Sequence, residues 1–226
     1  QKTRKFAYRH SDRIVFQTGD AKAYFPVNVQ KKGLVIPNPV SVPDIPVYNG
    51  ERENTVVCVG RLEEQKAFHR MLDAAKVLKE RGLNIEWLIL GRGYEYDSLL
   101  QKKERYGLDN VHFLGFRQNP YSYMRAADVT AILSEYEGLA LTVAESLTAG
   151  TPVLSTRTGG VAELLPDEYG WIIENDLLSI IDGMTAIYDD RKLLEEKRTA
   201  LMRTTTNESK KVWTHFSRHP KKEAAP

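Results

Sequence analysis

Short apolar runs alternate with amphipathic segments along most of the chain. After residue 54, the runs TVVCVG, IEWLIL, VHFLG, VTAIL, PVLS and GWII have the length and composition of buried strands. The segments between them have a helical period. In the first of these, Phe68, Leu72 and Leu78 share one face and Gly82 marks the end. Strands alternating with helices predict crossover units on a parallel sheet, so we expect a doubly wound, Rossmann-like α/β domain.

A proline-rich segment divides the chain. Four of the ten prolines lie in PNPVSVPDIP, residues 37–46, where they exclude a central strand or a helix interior and predict a linker. Before the linker, the pattern predicts a basic helical stretch (KTRKFAYRHSD), a strand (RIVFQT), a short helix and a second strand (GLVIP). The two sides of the linker are therefore expected to belong to different structural units.

The composition is that of an ordinary globular protein, with 42% hydrophobic residues, 27% charged residues and a net charge of +2. This balance does not indicate nucleic-acid binding. Residues 1–32 carry eight Lys/Arg against two Asp, which suits either a solvated helix face or peripheral contact with an anionic membrane. No apolar run approaches the length of a membrane-spanning helix. The single cysteine, Cys58, lies inside TVVCVG, so we expect a buried, inert thiol and a reducing, cytoplasmic setting.

The first candidate motif, VGRLEEQK, directly follows the strand TVVCVG. Arg61 and Lys66 lie five positions apart, and Gly60 permits close approach of the backbone. Two cations in a loop that leads into a helix suit a phosphate-bearing ligand. The Gly-Lys-Ser/Thr ending of a P-loop is missing. Two surface cations beside Glu63 and Glu64 are the alternative interpretation.

The second motif is LGRGYEYD, in which Gly91 and Gly93 follow the strand IEWLIL. A dinucleotide-binding fingerprint needs a third glycine at position 96, where Tyr96 stands, so this match fails. The two glycines instead predict a tight turn between strand and helix. Such a turn can bring the backbone of Gly91 close to a ligand.

The third motif, EGLALTVAESLTAGTPV, contains two glutamates, Glu137 and Glu145. Paired carboxylates serve as acid and base in sugar hydrolysis, accept hydrogen bonds from a ligand, or are solvated surface residues. If a helix begins near Leu141, Thr142 and the free N–H groups around it can meet a phosphate at the helix N-terminus. Glu145 is then expected to be partly buried and to need donors, such as the hydroxyls of a ribose. Glu137 precedes the helix and suits the other end of the same ligand.

Two other features have simpler explanations. Gly159 and Gly160 open a short helix with Glu163 in its first turn, which helix capping explains, with a minor ligand role as the alternative. His215 and His219 are four positions apart, but no neighbouring Cys or carboxylate completes a metal site. The sequence contains no Asp-x-Asp pair, so we predict no metal.

Six segments together resemble family 4 of the retaining glycosyltransferases: VGRLEEQKAFHRMLDA, LILGRGYEYDSL, DNVHFLGF, YSYMRAADV, LSEYEGLALTVAESLTAGTPVLST and GGVAELL. Their order and spacing are similar to the C-terminal, nucleotide-sugar-binding half of the two-domain GT-B fold. Residues 1–40 resemble the last helix and strand of the family's N-terminal domain. The resemblance implies the end of an acceptor-binding domain with its linker at 1–45, a donor-binding domain at 46–212 and a C-terminal tail at 213–226. The chain begins with Gln1, so we expect a piece of a longer protein.

The resemblance implies a role for each main candidate. Arg61 and Lys66 match the family's diphosphate-binding cations, which places them with Glu137 in the catalytic set. Glu137 matches the glutamate near the donor sugar, and Glu145 matches the one that binds the ribose hydroxyls. The two glutamates are therefore interpreted as donor ligands, and the hydrolase interpretation is set aside.

Other positions complete the expected donor site. Leu141 and Thr142 match positions where a backbone group and a hydroxyl meet the diphosphate, and Phe116 and Arg117 fall where the family's chain passes the base. The whole donor-binding set is Gly60, Gly91, Phe116, Arg117, Ala140, Leu141, Thr142 and Glu145.

Three residues depart from the family pattern. Ala67 replaces the usual Gly after the lysine, and Leu139 replaces a usual Phe. Ala140 replaces a Gly whose backbone would approach the sugar, and its methyl group is expected to crowd that approach.

The resemblance implies metal-independent transfer, with retention, from a nucleotide-diphosphate sugar to a glycan or lipid-linked acceptor. A UDP-sugar is the expected donor, and no cofactor is expected. Arg61, Lys66 and the helix N-terminus near Leu141 would stabilise the charge that grows on the leaving diphosphate. A UDP-sugar epimerase and a non-catalytic nucleotide-sugar-binding module are the alternatives.

Overall fold

The computed structural model describes residues 6–8, 10–36, 38 and 54–207. Every apolar run that predicted a strand after residue 54 forms one. The strands are β1 (Ile14–Phe16), β2 (Gly33–Val35), β3 (Thr55–Val59), β4 (Glu86–Leu90), β5 (Val111–Gly115), β6 (Val129–Ile132), β7 (Val153–Thr156) and β8 (Gly170–Ile173). The proline-rich residues 39–46, the predicted tail at 213–226 and the pair His215 and His219 lie outside the described residues.

The helices follow the predicted periodicity with small shifts at their ends. They are α1 (Gly19–Ala23), α2 (Val27–Gln30), α3 (Phe68–Glu80), α4 (Tyr96–Arg105), α5 (Tyr121–Ala126), α6 (Leu141–Ala149), α7 (Val161–Leu164), α8 (Leu177–Asp189) and α9 (Arg191–Asn207). Helix α4 begins at Tyr96, after the turn predicted at Gly91 and Gly93. No helix in the described ranges is both long enough and apolar enough to cross a lipid bilayer.

Strands β3 to β8 form one parallel sheet in the order β5-β4-β3-β6-β7-β8. Strand β3 is central, with Val57 paired to Leu88 of β4 on one side and to Thr130 of β6 on the other. Strands β3, β4 and β5 therefore form one half of the sheet, and β6, β7 and β8 form the other half, with β6 next to β3. In such a doubly wound sheet, ligands bind where the order reverses, outside the carboxyl ends of the strands. Here that point lies between β3 and β6.

Helices cover both faces of this sheet, as the strand composition predicts. Successive β3 residues point to opposite faces, so Val56 and Cys58 pack in the cluster that contains α3 and α8. Val57 packs in a second cluster with Met124 of α5. Burial raises the pKa of the Cys58 thiol to about 12, so this thiol stays protonated, as expected for an inert core cysteine.

The segment before the linker forms a separate parallel pair, β1 with β2, covering a small core of Ile14, Phe16 and Val29. Its helix α1 is tied to the larger domain by Glu163, whose carboxylate accepts the N–H groups of Gly19 (2.9 Å) and Asp20 (2.8 Å). The sequence assigned Glu163 to capping in its own helix. The structure corrects this: Glu163 satisfies the N-terminus of a helix more than 140 residues earlier in the chain.

Candidate functional site

Lys66 and Glu137 meet at the switch point of the sheet. Lys66 follows β3, Glu137 follows β6, and Lys66 Nζ lies 2.5 Å from Glu137 Oε1. The Ser134 hydroxyl donates to the same oxygen at 2.7 Å. The side chains of Lys66 and Glu137 are 20% and 8% exposed, so little water screens this ion pair. A cavity adjoins it and is lined by residues that include Lys66, Phe68, Met71, Ile132 and Ser134.

Two glycines allow the Lys66 loop to pack against the sheet. A Cβ atom on Gly60 would lie 3.3 Å from Cδ and Cε of Lys66, so the missing side chain makes room for the lysine stem. A Cβ atom on Gly91 would lie 1.8 Å from the Gly60 carbonyl oxygen, which no other residue could avoid. Both glycines therefore have a packing role in this structure, and their contact with a ligand stays a prediction.

Ala67 follows Lys66 in a left-handed backbone conformation, with φ 52° and ψ 36°. It joins the short 3-10 turn Glu64–Lys66 to the start of α3. This conformation costs an L-residue other than glycine about 1–2 kcal/mol. Alanine at this position, where the family has glycine, therefore keeps the path of the loop but strains its backbone.

Helix α6 begins at Leu141, as predicted, and no side chain caps its N-terminus. The Leu141 N–H already donates to the Leu139 carbonyl at 2.9 Å, and the Val143 N–H donates to the Ala140 carbonyl at the same distance. The expectation of a free N–H at Leu141 is therefore corrected. The adjacent Thr142 is half-buried, and its hydroxyl makes no hydrogen bond to any described residue. Thr142 is thus the residue of this turn best able to meet an anion.

The methyl group of Ala140 lies in the protein interior. Ala140 is 3% exposed and belongs to an apolar cluster with Val143 and Val161. The crowding of a bound sugar that the sequence suggested at this position is therefore not supported by the packing. A close approach of the Ala140 backbone to a ligand stays a prediction.

Glu145 is a half-buried carboxylate one helical turn beyond Thr142. Burial raises its pKa, and the positive charge of Lys66 partly opposes that rise, which places Glu145 within electrostatic reach of the ion pair. Its charge in turn adds to the burial that raises the pKa of Tyr121. Within the described part of the chain its carboxylate oxygens accept no hydrogen bond. It therefore retains its full capacity to accept hydrogen bonds from a ligand.

Three predicted residues, Arg61, Phe116 and Arg117, have no described contact with the ion pair. The Arg61 side chain is 69% exposed and pairs with Glu63 at 2.8 Å. Phe116, at the end of β5, is 63% exposed. The Arg117 guanidinium lies 5.9 Å from the centre of the Tyr123 ring. None of the described contacts links these three to Lys66 or Glu137, so their predicted roles depend on a ligand that spans the distance.

Ser134 is a site residue that the sequence interpretation missed. It is 1% exposed and holds the Glu137 carboxylate. The available signal was a hydroxyl at the end of the apolar run VTAIL, three residues before Glu137. Among the described residues, no group of three or more His, Cys, Asp or Glu side chains could hold a metal ion.

Comparison with known proteins identifies the family of this chain. Residues 46–205 match the sequence profile described as glycosyl transferases group 1. The chain belongs to this family. It is 27% identical over 221 residues to the lipopolysaccharide core biosynthesis mannosyltransferase LpsB of Rhizobium meliloti, covering 90% of this chain and 63% of that protein. Over its curated relatives, the chain spans between 38% and 63% of their length.

Solved glycosyltransferase structures share the fold. The TarM G117R mutant of S. aureus, in complex with fondaparinux, alpha-GlcNAc-glycerol and UDP, superposes with a TM-score of 0.78 at 17% identity, over 96% of this chain and 47% of that chain. HepE of Anabaena in complex with UDP-glucose gives a TM-score of 0.77 at 20% identity, over 94% of this chain and 64% of that chain. These matches confirm the Rossmann-like α/β fold of GT-B glycosyltransferases that the sequence predicted.

Proposed function

We propose that this group 1 glycosyltransferase domain binds the diphosphate sugar donor, a UDP-sugar, for metal-independent transfer with retention. The observation that carries the proposal is the shielded Lys66–Glu137 pair at the switch point. Glu145 lies on the helix that follows Glu137 and accepts no hydrogen bond from the described residues. The three side chains offer a cation for the diphosphate, a carboxylate for the sugar and a carboxylate for the ribose. The UDP-glucose complex of HepE, a structure of the same fold, supports the choice of donor.

Lys66 would have the central role in stabilising the leaving group. As the bond between the anomeric carbon and the phosphate oxygen breaks, negative charge grows on the diphosphate. Lys66 and the N-terminus of α6 around Thr142 would stabilise that charge, with Arg61 contributing as well. Lys66 is paired with Glu137 at 2.5 Å, so it would be shared with the diphosphate when the donor binds.

Transfer with retention requires that the acceptor attacks the same face of the sugar that the leaving group occupied. The acceptor oxygen forms the new bond to the anomeric carbon, and its proton passes to the leaving phosphate. Glu137 would then bind the sugar and hold its orientation, with Lys66 and Ser134 fixing one carboxylate oxygen. This assigns Glu137 to contact with the sugar and requires no covalent intermediate on the protein.

The acceptor side would come from the region that this chain does not span. The relatives named above are longer, and one is a lipopolysaccharide core mannosyltransferase while another was solved with alpha-GlcNAc-glycerol. A glycan or lipid-linked acceptor is therefore proposed. Catalysis needs the acceptor hydroxyl held about 3–3.5 Å from the anomeric carbon. A cytoplasmic location with peripheral membrane contact stays a prediction.

Calorimetry tests donor binding directly. UDP and GDP are titrated into the 226-residue chain in EDTA and again with magnesium. We expect UDP to bind with similar affinity in both buffers and to raise the melting temperature. Binding that disappears in EDTA and returns with magnesium would contradict the metal-free proposal. Tighter binding of GDP than of UDP would indicate that the donor nucleotide carries guanine.

Mass analysis of products separates the three possible activities. The chain is incubated with UDP-glucose, with and without lipid and polysaccharide acceptors. We expect binding with at most slow hydrolysis of the donor, because the acceptor is not held in place. An altered sugar formed without an acceptor would indicate an epimerase. Robust transfer by this chain would show that it holds the acceptor without any further region.

A further inference from the structure

Arg70, in the first turn of α3, ties together three segments at the carboxyl edge of the sheet. Its Nη2 donates to the Leu133 carbonyl (2.9 Å) and to Asn175 Oδ1 (2.5 Å). Its Nη1 donates to the Asn175 carbonyl (3.2 Å) and lies 2.9 Å from Glu135 Oε1. The Arg70 side chain is 17% exposed. One guanidinium thus connects α3 with the segments that follow β6 and β8.

A second set of hydrogen bonds extends this connection to the neighbours of both site residues. The Asn175 amide donates to the Glu135 carbonyl at 3.0 Å, and the Glu135 N–H donates to the Gln65 carbonyl at 2.8 Å. The Gln65 amide then donates to the Tyr136 carbonyl at 2.9 Å. Gln65 directly precedes Lys66, and Tyr136 directly precedes Glu137. The network therefore contacts the residues that directly precede both charged side chains.

We propose that Arg70 is a positioning residue that sets the geometry of the Lys66–Glu137 pair through Glu135 and Asn175. An arginine suits this task because its planar fork can bond two carbonyls, an amide oxygen and a carboxylate at once, which a lysine ammonium cannot do with the same geometry. Its Nε is buried and has no hydrogen-bond partner in the described structure. That unpaired donor lowers the stability that the other contacts of the guanidinium provide.

A ligand-free experiment tests the positioning itself. Lysines are acetylated with a dilute reagent, and the rates at Lys66 and Lys102 are compared by mass spectrometry in the same sample. Lys102 is a matched reference because it is 19% exposed against 20% for Lys66 and is also ion-paired, with Asp73. In Arg70→Met we expect the ratio of the Lys66 rate to the Lys102 rate to rise about fivefold, because a mispositioned Glu137 no longer shields the ammonium group.

Arg191→Met is the control variant for this experiment. Arg191 also pairs with a carboxylate, Asp128, but at the opposite edge of the sheet. It should lower the melting temperature and leave the labelling ratio unchanged. An unchanged ratio in Arg70→Met, or an equal rise in both variants, would overturn the proposal.

A second readout asks whether the positioning matters for the donor, and it rests on the proposed function. The ratio of UDP to UMP affinity measures the contribution of the second phosphate. We expect Arg70→Met to reduce this ratio about tenfold with UMP affinity changed less than twofold, and Arg70→Lys to restore part of it. Parallel losses for both nucleotides would refute the link to the diphosphate. If the unmodified chain binds no UDP, the proposed function fails, while the labelling experiment still decides the role of Arg70.

Discussion

Two carboxylates at opposite edges of the six-stranded sheet, Asp128 and Glu145, differ in the partners that their charges have. At the amino edge, Asp128 precedes β6 and is 0% exposed. Its Oδ2 accepts hydrogen bonds from the Thr55 N–H (3.0 Å) and from Arg191 (3.2 Å), while Arg198 lies 3.6 Å from Oδ1. At the carboxyl edge, Glu145 is half-buried and accepts no hydrogen bond from any residue that the structure describes.

Asp128 therefore contributes to the stability of the fold, whereas Glu145 is a candidate for ligand binding. A buried carboxylate surrounded by cations and an N–H donor holds helix α9 against the sheet. A half-buried carboxylate without a donor lowers stability, because its lost hydration is not replaced. The same deficit leaves Glu145 able to bind the hydroxyls of a ligand. The amino edge is therefore expected to tolerate changes without loss of binding, and removal of the Glu145 charge is expected to raise stability.

The largest expected effect is on stability at the amino edge. Asp128→Ala should lower the free energy of unfolding by about 3–5 kcal/mol, because it breaks the buried ion pairs with Arg191 and Arg198 and removes an acceptor of the Thr55 N–H. Urea denaturation measures this loss. UDP affinity, measured by calorimetry at a temperature where the variant is folded, should be unchanged. A loss of affinity as large as the loss of stability would show that the two edges are coupled.

Removing the site cation should chiefly affect binding. Lys66→Ala is expected to weaken UDP binding by about 1–3 kcal/mol, the range for losing a charge-assisted hydrogen bond. Arg61→Ala is the comparison, and because its side chain is 69% exposed and already paired with Glu63, we expect a smaller loss. Equal losses of UDP affinity in the two variants would show that Arg61 contacts the bound ligand as strongly as Lys66 does.

Glu145→Gln should have opposite effects on stability and on binding. The neutral isostere removes a half-buried charge and should raise the free energy of unfolding at pH 7 by about 1 kcal/mol. It should weaken UDP binding, while pyrophosphate binding stays the same. Equal losses for UDP and pyrophosphate would show that Glu145 does not bind the ribose.

The pH dependence of this variant follows from the sign of the shift. The pKa of Glu145 is raised above its ordinary value of 4.5, so in the window between that value and its folded value the native state binds more protons than the unfolded state. Stability therefore falls as pH rises through this window. The stability advantage of Glu145→Gln should be present at pH 7 and disappear below about pH 4. An advantage that is unchanged at low pH would exclude the charge as its cause.

The smallest expected effect is at Ala67. Ala67→Gly relieves the left-handed strain of about 1–2 kcal/mol but increases the freedom of the unfolded chain, so the net gain in stability should be about 0.5–1 kcal/mol. Thermal unfolding measures it. Asn54→Gly, at the other non-glycine residue with positive φ in the described structure, is a control away from the loop. UDP affinity should not change in either variant, and a change in Ala67→Gly alone would mean that strain in this loop tunes the site.

Hydrophobic periodicity alone determined the six strands, the parallel α/β class and the start of α6 near Leu141. These features are local, because strand and helix periods are set by which neighbouring side chains must be buried together. The composition of TVVCVG was also enough to predict the buried thiol of Cys58, since a strand covered on both faces leaves no position exposed. The motifs and the resemblance to glycosyltransferases identified Lys66, Glu137 and Glu145 as candidates, but not which of them touch.

Tertiary structure decided the pairings. Lys66 and Glu137 are 71 residues apart in the chain and meet because β3 and β6 are adjacent at the reversal of strand order. Arg70 reaches Asn175 across 105 residues, and Glu163 caps a helix that begins 144 residues before it. The sequence around a carboxylate does not identify its partner, because the partner depends on which loops the crossovers bring to the same edge of the sheet. Only the folded chain showed that Asp128 pairs with Arg191 and Arg198 and that Glu145 accepts no hydrogen bond from the described residues.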